Sequence, residues 1–386
     1  MDRYVTERIR RDLPRKIVFL TGPRQVGKTV LARSLIASRV AAGARYFNYD
    51  VATDRAVLQR RSWLPDARLL VFDELHKMPD WKAWLKGVGD GRPDGQQILV
   101  TGSARLDTFR QGGDSLAGRF RTIRLHPVSV HEWLAFGPDG GASSADAREQ
   151  ALERLLERGG FPEPLLADDP AEPHRWRRQY VDGLLREDVL EFSRVHEVNA
   201  MRLLLELLRT RVGSPLSLAS IGQDLGISQP TVRRYIDIFQ ALFIVFLVRP
   251  WHRNIARSVL QQPKVYFYDT GLVQGDDGLR FENLLATHLL KHVEWQQDAF
   301  GRDCGLHYLR TKDGAEIDFV ISEDGRLAGL VECKWADATL HRALDRFAGE
   351  APDAAAVQVV RHLRQPERRG HVDILPAADW LAGLSA

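Results

Sequence analysis

The chain has 386 residues, 44% of them hydrophobic and 27% charged, with a net charge of +3 at pH 7. That length exceeds one ordinary core and calls for roughly two to four domains, while so balanced a charge excludes a global electrostatic case for nucleic acid and leaves only local basic runs at 119–124, 175–178, 249–257 and 361–369. Two cysteines, Cys304 and Cys333, exclude a disulfide framework and a four-cysteine zinc site, and both read as packing residues.

The first stretch, MDRYVTERIRRDLPRK, carries charge without an apolar h-region, and the most apolar run, ALFIVFLV at 241–248, is too short to span a bilayer. A soluble, cytoplasmic protein with no membrane partner is expected. The segments KIVFLTG, ARYFNYD, RLLVFDE, QQILVTGS and TIRLHPV then alternate with helical stretches over the first 135 residues. Such alternation predicts an α/β fold, a parallel sheet with helices on both faces.

The first of these strands runs into Gly22-Pro23-Arg24-Gln25-Val26-Gly27-Lys28-Thr29, and Val30 continues into a helix. The pattern is G-x-x-x-x-G-K-[ST] in its required setting, where loop N–H groups and a helix N-terminus point at the same phosphates. ATP and Mg are the expected cofactors: Lys28 would reach the β- and γ-phosphates and Thr29 would ligate the metal. RLLVFDE ends in Asp73-Glu74, with Asp73 the metal-side carboxylate and Glu74 the base for the attacking water. The next strand ends in Thr101 and Ser103, whose hydroxyls either hold the lytic water and sense the γ-phosphate or close an ordinary strand-end hydrogen bond. Arg119 follows a glycine just before the next strand. As a finger on a neighbour's γ-phosphate it requires a ring or another oligomer, with Arg121 and Arg124 as fallback candidates.

The Gly/Ser/Asp-rich GPDGGASSADA at 137–147 reads as a flexible connection, and 148–242 as almost wholly helical. Within 217–251, Leu218, Ile221 and Leu225 give one apolar face, Gly226 a turn, and Ser228 caps a second helix with Pro230 in its first turn, which predicts a winged helix-turn-helix. Gln229, Thr231, Arg233 and Arg234 would face DNA, and the following apolar segment would form the wing. A packing or subunit-contact role for the same helices is the alternative. Further on, GAEIDFVISEDGRLAGLVECKW at 314–335 sets Asp318 on one strand and Glu332 and Lys334 on one face of the next, with Glu282 upstream on a helix. Those carboxylates form a possible second Mg site with a lysine beside it, and a DNA-cutting centre, a vestigial one and a hairpin salt bridge all stay open.

The blocks TGPRQVGKT, VFDELHKMPDW, VTGSARL, SLAGRF…LHPVSVHEWL, GGFPEP and YVDGLLREDVLEF, in this order, resemble the prokaryotic AAA+ family P-loop ATPases that carry a C-terminal domain of unknown function. The resemblance implies an ATPase core followed by a winged helix and a PD-(D/E)XK nuclease-like, restriction-endonuclease-like α/β module. The expected division is 1–136 for the ATPase core, 137–213 for a linker and helical lid, 214–256 for the winged helix-turn-helix and 257–386 for the nuclease-like domain. The expected function is an ATP-hydrolysing homo-oligomer, such as a hexameric ring, that couples hydrolysis to DNA binding or remodelling. Two rivals are a nucleotide-dependent switch that binds a protein partner and a DNA-binding regulator in a toxin-antitoxin or defence-like module.

Overall fold

The computed structural model describes residues 2–37, 43–64, 66–102, 118–137, 144–188, 195–252 and 262–386. They divide into two compact units, Met1–His126 with Ala241–Phe243, and Pro127–Gln240 with Ile244–Ala386.

The first unit holds β1 (Ile17–Thr21), β2 (Ala44–Asn48), β3 (Leu69–Asp73), β4 (Gln97–Thr101) and β5 (Phe120–Arg124). They form one sheet in the order β2-β3-β4-β1-β5, and every neighbouring pair is parallel. β1 and β3 are buried along their whole length, as their near-continuous apolar runs require of strands covered on both faces. Phe19, Phe72, Leu75, Trp81 and Leu85 belong to the core on one side of that sheet. Because β4 lies between β1 and β3, Asp73 is aligned with Thr101, and Thr101 with Leu20. Three strand ends therefore meet at one edge, where the Gly22–Thr29 loop leaves β1.

The second unit is helical up to Gln240 and then builds an eight-stranded mixed sheet. Its helices include Ala145–Arg158, Glu172–Gly183, Val195–Arg209, Leu218–Leu225 and Gln229–Ala241. Ser217 Oγ accepts from Ser220 N and Ser228 Oγ from Thr231 N, both at 3.3 Å, so each of the last two helices has an N-terminal cap worth about 1 kcal/mol. A side chain at Gly222 would bring its Cβ within 2.7 Å of the Ile227 carbonyl oxygen, so the turn between these helices closes only over glycine.

The sheet contains β6 (Val245–Pro250), β7 (Lys264–Phe267), β8 (Cys304–Arg310), β9 (Glu316–Glu323), β10 (Arg326–Lys334), β11 (Ala355–Val360), β12 (Glu367–Arg369) and β13 (Val372–Pro376), in the order β12-β13-β11-β10-β9-β8-β6-β7. β6, read from sequence as the wing of a separate small domain, pairs with β7 and runs parallel to β8, so it belongs to the same sheet as the C-terminal strands. Its apolar alternation was satisfied by either partner, and only the hydrogen-bond ladder decides which. No helix among the described residues is long and apolar enough to cross a membrane.

Candidate active site

The Gly22–Thr29 loop follows β1 and leads into the helix Lys28–Ala37. Gly22 and Gly27 have φ of +142° and +102°, and Gln25 has φ of +59°. A Cβ at Gly22 would lie 2.3 Å from the Leu125 carbonyl oxygen, so only glycine lets the loop pass the end of β5. Arg3 braces the same loop: its guanidinium donates to Val26 O at 3.0 Å and to His126 O at 2.7 Å. The helix adds the unshared N–H groups and positive end of its first turn, and Val30 is 64% exposed there.

Lys28 is buried, and its Nζ donates to the carbonyls of Gly22 at 2.8 Å and Pro23 at 2.6 Å. Burial lowers its pKa to about 8, against the raising influence of Glu74 and Asp73. Asp73, 4% exposed, is held by four donors. Thr29 Oγ1 (3.1 Å) and the Tyr46 hydroxyl reach Oδ2, while Thr101 Oγ1 (2.5 Å) and Glu74 N (3.2 Å) reach Oδ1. The Thr101 hydroxyl thus makes a strand-end hydrogen bond to Asp73. Ser103 lies outside the described residues.

Glu74 has left-handed backbone, φ +54°. Its Oε2 is buried with no hydrogen-bond partner among the described residues, with His76 Nε2 at 3.5 Å and Lys77 Nζ at 3.7 Å. Burial, then the charge of Asp73, raises its pKa above the ordinary carboxylate value. A glycine cradle, a lysine, a fixed carboxylate and an unsatisfied second carboxylate at one sheet edge fit a metal-bound triphosphate.

Arg119 is not part of this gathering. It precedes Phe120, which aligns with Ile17 at the start of β1, whereas the loop leaves the far end of that strand. At about 3.3 Å per residue the separation along the sheet is roughly 15 Å. Its guanidinium pairs with Asp90 at 2.9 Å, both side chains being well exposed. Arg121 pairs with Asp12 at 2.5 Å, and Arg124, aligned with Thr21, is the arginine of this strand at the loop edge.

A second cluster sits in the C-terminal sheet. Asp318 on β9 faces Glu332 and Cys333 on β10: Asp318 N donates to Glu332 Oε2 at 3.3 Å, and Cys333 N to Asp318 Oδ2 at 3.0 Å. Lys334 Nζ lies 2.7 Å from Glu332 Oε1. Glu282, on the helix Asp277–Phe300, accepts from the Tyr266 hydroxyl at 2.7 Å. The donor atoms that come within 4.8 Å of one another, however, are those of Glu282, Asp318 and Cys333. Among the described residues Cys333, read from sequence as packing, thus stands closer to Glu282 and Asp318 than the expected set of Glu282, Asp318 and Glu332 provides for. Burial and the nearby Asp318 push Glu282 up to about 7 and Glu332 up to about 8. Lys264 and Glu316 also enter the cluster, and neither was singled out in the sequence: lysine–carboxylate pairing across strands leaves no local motif.

Of the four residues expected to face DNA, Gln229, Arg233 and Arg234 are exposed and Thr231 is half-buried. Thr231 shares a 2.8 Å hydrogen bond with Ser228, and Arg234 pairs with Glu197 at 2.7 Å.

The model of the AAA domain family matches residues 14–134, and those of two domains of unknown function match 149–280 (DUF8612) and 277–380 (DUF4143). The chain is 30% identical over 334 residues to the uncharacterized protein Rv2008c of Mycobacterium tuberculosis, spanning 85% of this chain and 72% of that protein. It is 23% identical over 333 residues to the uncharacterized protein MJ1544 of Methanocaldococcus jannaschii, spanning 80% and 73%. Among solved structures, the Thermotoga maritima RuvB Holliday junction branch migration motor aligns at 17% identity and a TM-score of 0.32, over 63% of this chain and 88% of that one. AMPPCP-bound DnaA from Aquifex aeolicus aligns at 15% and 0.33, over 61% and 86%. The match to a relative over most of both chains and the AAA-domain match across the loop and its strands agree: this chain belongs to the AAA-family P-loop ATPases that carry a domain of unknown function (DUF4143) behind the ATPase core.

Proposed function

We propose that this protein hydrolyses ATP at the loop edge of the five-stranded sheet and couples that turnover, as a homo-oligomer, to DNA. The observation that carries the reading is the Asp73 carboxylate, fixed by Thr29 and Thr101 beside the buried Lys28 and the unsatisfied Glu74. In this account the N–H groups from Gly22 through Val30 and the Lys28 ammonium bind the phosphates, while Thr29 and Asp73 hold Mg. The metal, when bound, neutralises phosphate charge. Glu74 orients the attacking water and takes its proton, a task favoured by a pKa raised above the ordinary carboxylate value. Arg119 acts on a neighbouring copy, since it lies at the opposite sheet edge from its own loop.

The coupling to DNA assigns the Leu218–Leu225 and Gln229–Ala241 helices a helix-turn-helix role, with Gln229, Thr231, Arg233 and Arg234 against phosphates and base edges. A second activity, phosphodiester hydrolysis, is supported by the convergence of Glu282, Asp318, Cys333, Glu332 and Lys334. The test of the central reading separates binding from turnover. Glu74→Gln should bind ATP within threefold of the parent and lose turnover at least a hundredfold, whereas Lys28→Ala should lose both. Normal turnover by Glu74→Gln would remove Glu74 as base, and unchanged ATP affinity in Lys28→Ala would remove the site.

A further inference from the structure

Lys264 opens β7, and its side chain is 1% exposed. The ammonium lies 2.6 Å from Glu316 Oε1, 3.6 Å from Glu282 Oε1 and 3.8 Å from Asp318 Oδ1, and 5.3 Å from the centre of the Tyr308 ring. Glu282 and Asp318 are two of the three residues whose donor atoms come close enough together to grip a metal ion, Cys333 being the third. One cation of this chain therefore already lies within 4 Å of a carboxylate oxygen of each of two residues that a divalent ion would need. The other lysine does not compete for that place, because Lys334 Nζ is directed to Glu332 Oε1 at 2.7 Å.

We propose that Lys264 is the resident cation of the C-terminal carboxylate cluster, and that a divalent ion enters only when the Lys264 ammonium is displaced from Glu282 and Asp318. The inference rests on reading the cluster as a metal-accepting site. Its physical basis is direct: an ammonium buried within 4 Å of two ligand oxygens repels a dication placed on them and has no water to screen it. Removing it leaves the carboxylates with more uncompensated charge, which a divalent ion then satisfies better. In the parent protein the cluster is thus a weak metal site held shut by its own lysine, and a change that withdraws β7 would open it.

The test measures Mn2+ binding directly, from the free-ion paramagnetic resonance signal, in full-length protein carrying Asp73→Asn to suppress the nucleotide site. Lys264→Met should bind Mn2+ at least tenfold more tightly than the parent, Lys264→Arg should match the parent, and adding Asp318→Asn should abolish the gain. Lys264→Gln, which keeps a donor for Glu316, is the parallel neutral variant should Lys264→Met fail to fold by circular dichroism. Equal, Asp318-dependent binding by parent and neutral variant would overturn the role of Lys264 and leave the metal reading standing. Weaker binding by the neutral variant would also overturn it, making the lysine a support of the site. Absence of Mn2+ binding in every variant would overturn the metal reading and the inference together.

Discussion

Replacing Thr101 by valine probes the nucleotide site at its most buried contact. The hydroxyl is fully buried and donates to Asp73 Oδ1 at 2.5 Å, while the other donor to that oxygen, Glu74 N, is at 3.2 Å. Valine keeps the shape and removes the donor, leaving a buried carboxylate oxygen with one long hydrogen bond. A hydrogen bond to a charged group contributes about 1.5–3 kcal/mol, and about 1.4 kcal/mol is a tenfold change, so turnover should fall roughly 10- to 150-fold. The loss should appear as slower phosphate release at saturating ATP together with a higher Mg2+ half-saturation, because Asp73 is the group left misdirected. Thr101→Ser, which retains the donor, should remain close to the parent. Tyr46→Phe, which removes a donor from Oδ2, should shift the Mg2+ requirement in the same direction. Turnover by Thr101→Val within threefold of the parent, at an unchanged Mg2+ requirement, would refute the claim that this hydrogen bond orients Asp73.

Three further outcomes rest on named residues. Arg119→Ala should retain ATP binding and lose at least tenfold in turnover, and Arg119→Ala mixed with Lys28→Ala should recover activity, since each supplies what the other lacks; no recovery would remove Arg119 as a group acting between copies. Glu74 accepts a proton only as the carboxylate, and its pKa is raised by burial and by Asp73, so turnover should fall as pH drops through a value above the ordinary 4.5; an acid limb with its midpoint at or below that ordinary value would contradict this. Arg233→Ala with Arg234→Ala should weaken DNA binding and flatten its salt dependence, the log–log slope falling by about one for each phosphate no longer neutralised; an unchanged slope would make the helix a packing element.

The nucleotide site was legible because its parts are local. Gly22 to Thr29 are contiguous, Asp73 and Glu74 end an apolar strand, and the parallel fold follows from strand–helix alternation. What escaped is what sheet register brings together. Tyr46 reaches Asp73 from the neighbouring strand β2, Arg3 spans from the N-terminal segment to Val26 and His126, and Lys264 meets carboxylates from a helix and another strand. None of these has a fixed sequence spacing. The pairing of β6 was hidden for a related reason, since an apolar strand carries no mark of the sheet that will accept it, and β6 pairs with β7 and β8. The nearness of Cys333 Sγ to Asp318 Oδ2, at 3.3 Å, likewise left no mark in the sequence, where an isolated cysteine reads as packing.

The most direct test of the account is the steady-state ATPase rate of the purified protein, with Lys28→Ala as control, measured alone and with single-stranded, duplex and four-way-junction DNA. The account predicts a Lys28-dependent rate stimulated several-fold by at least one DNA form; a low rate indifferent to every DNA would contradict the coupling and favour a nucleotide-dependent switch that acts on a protein partner.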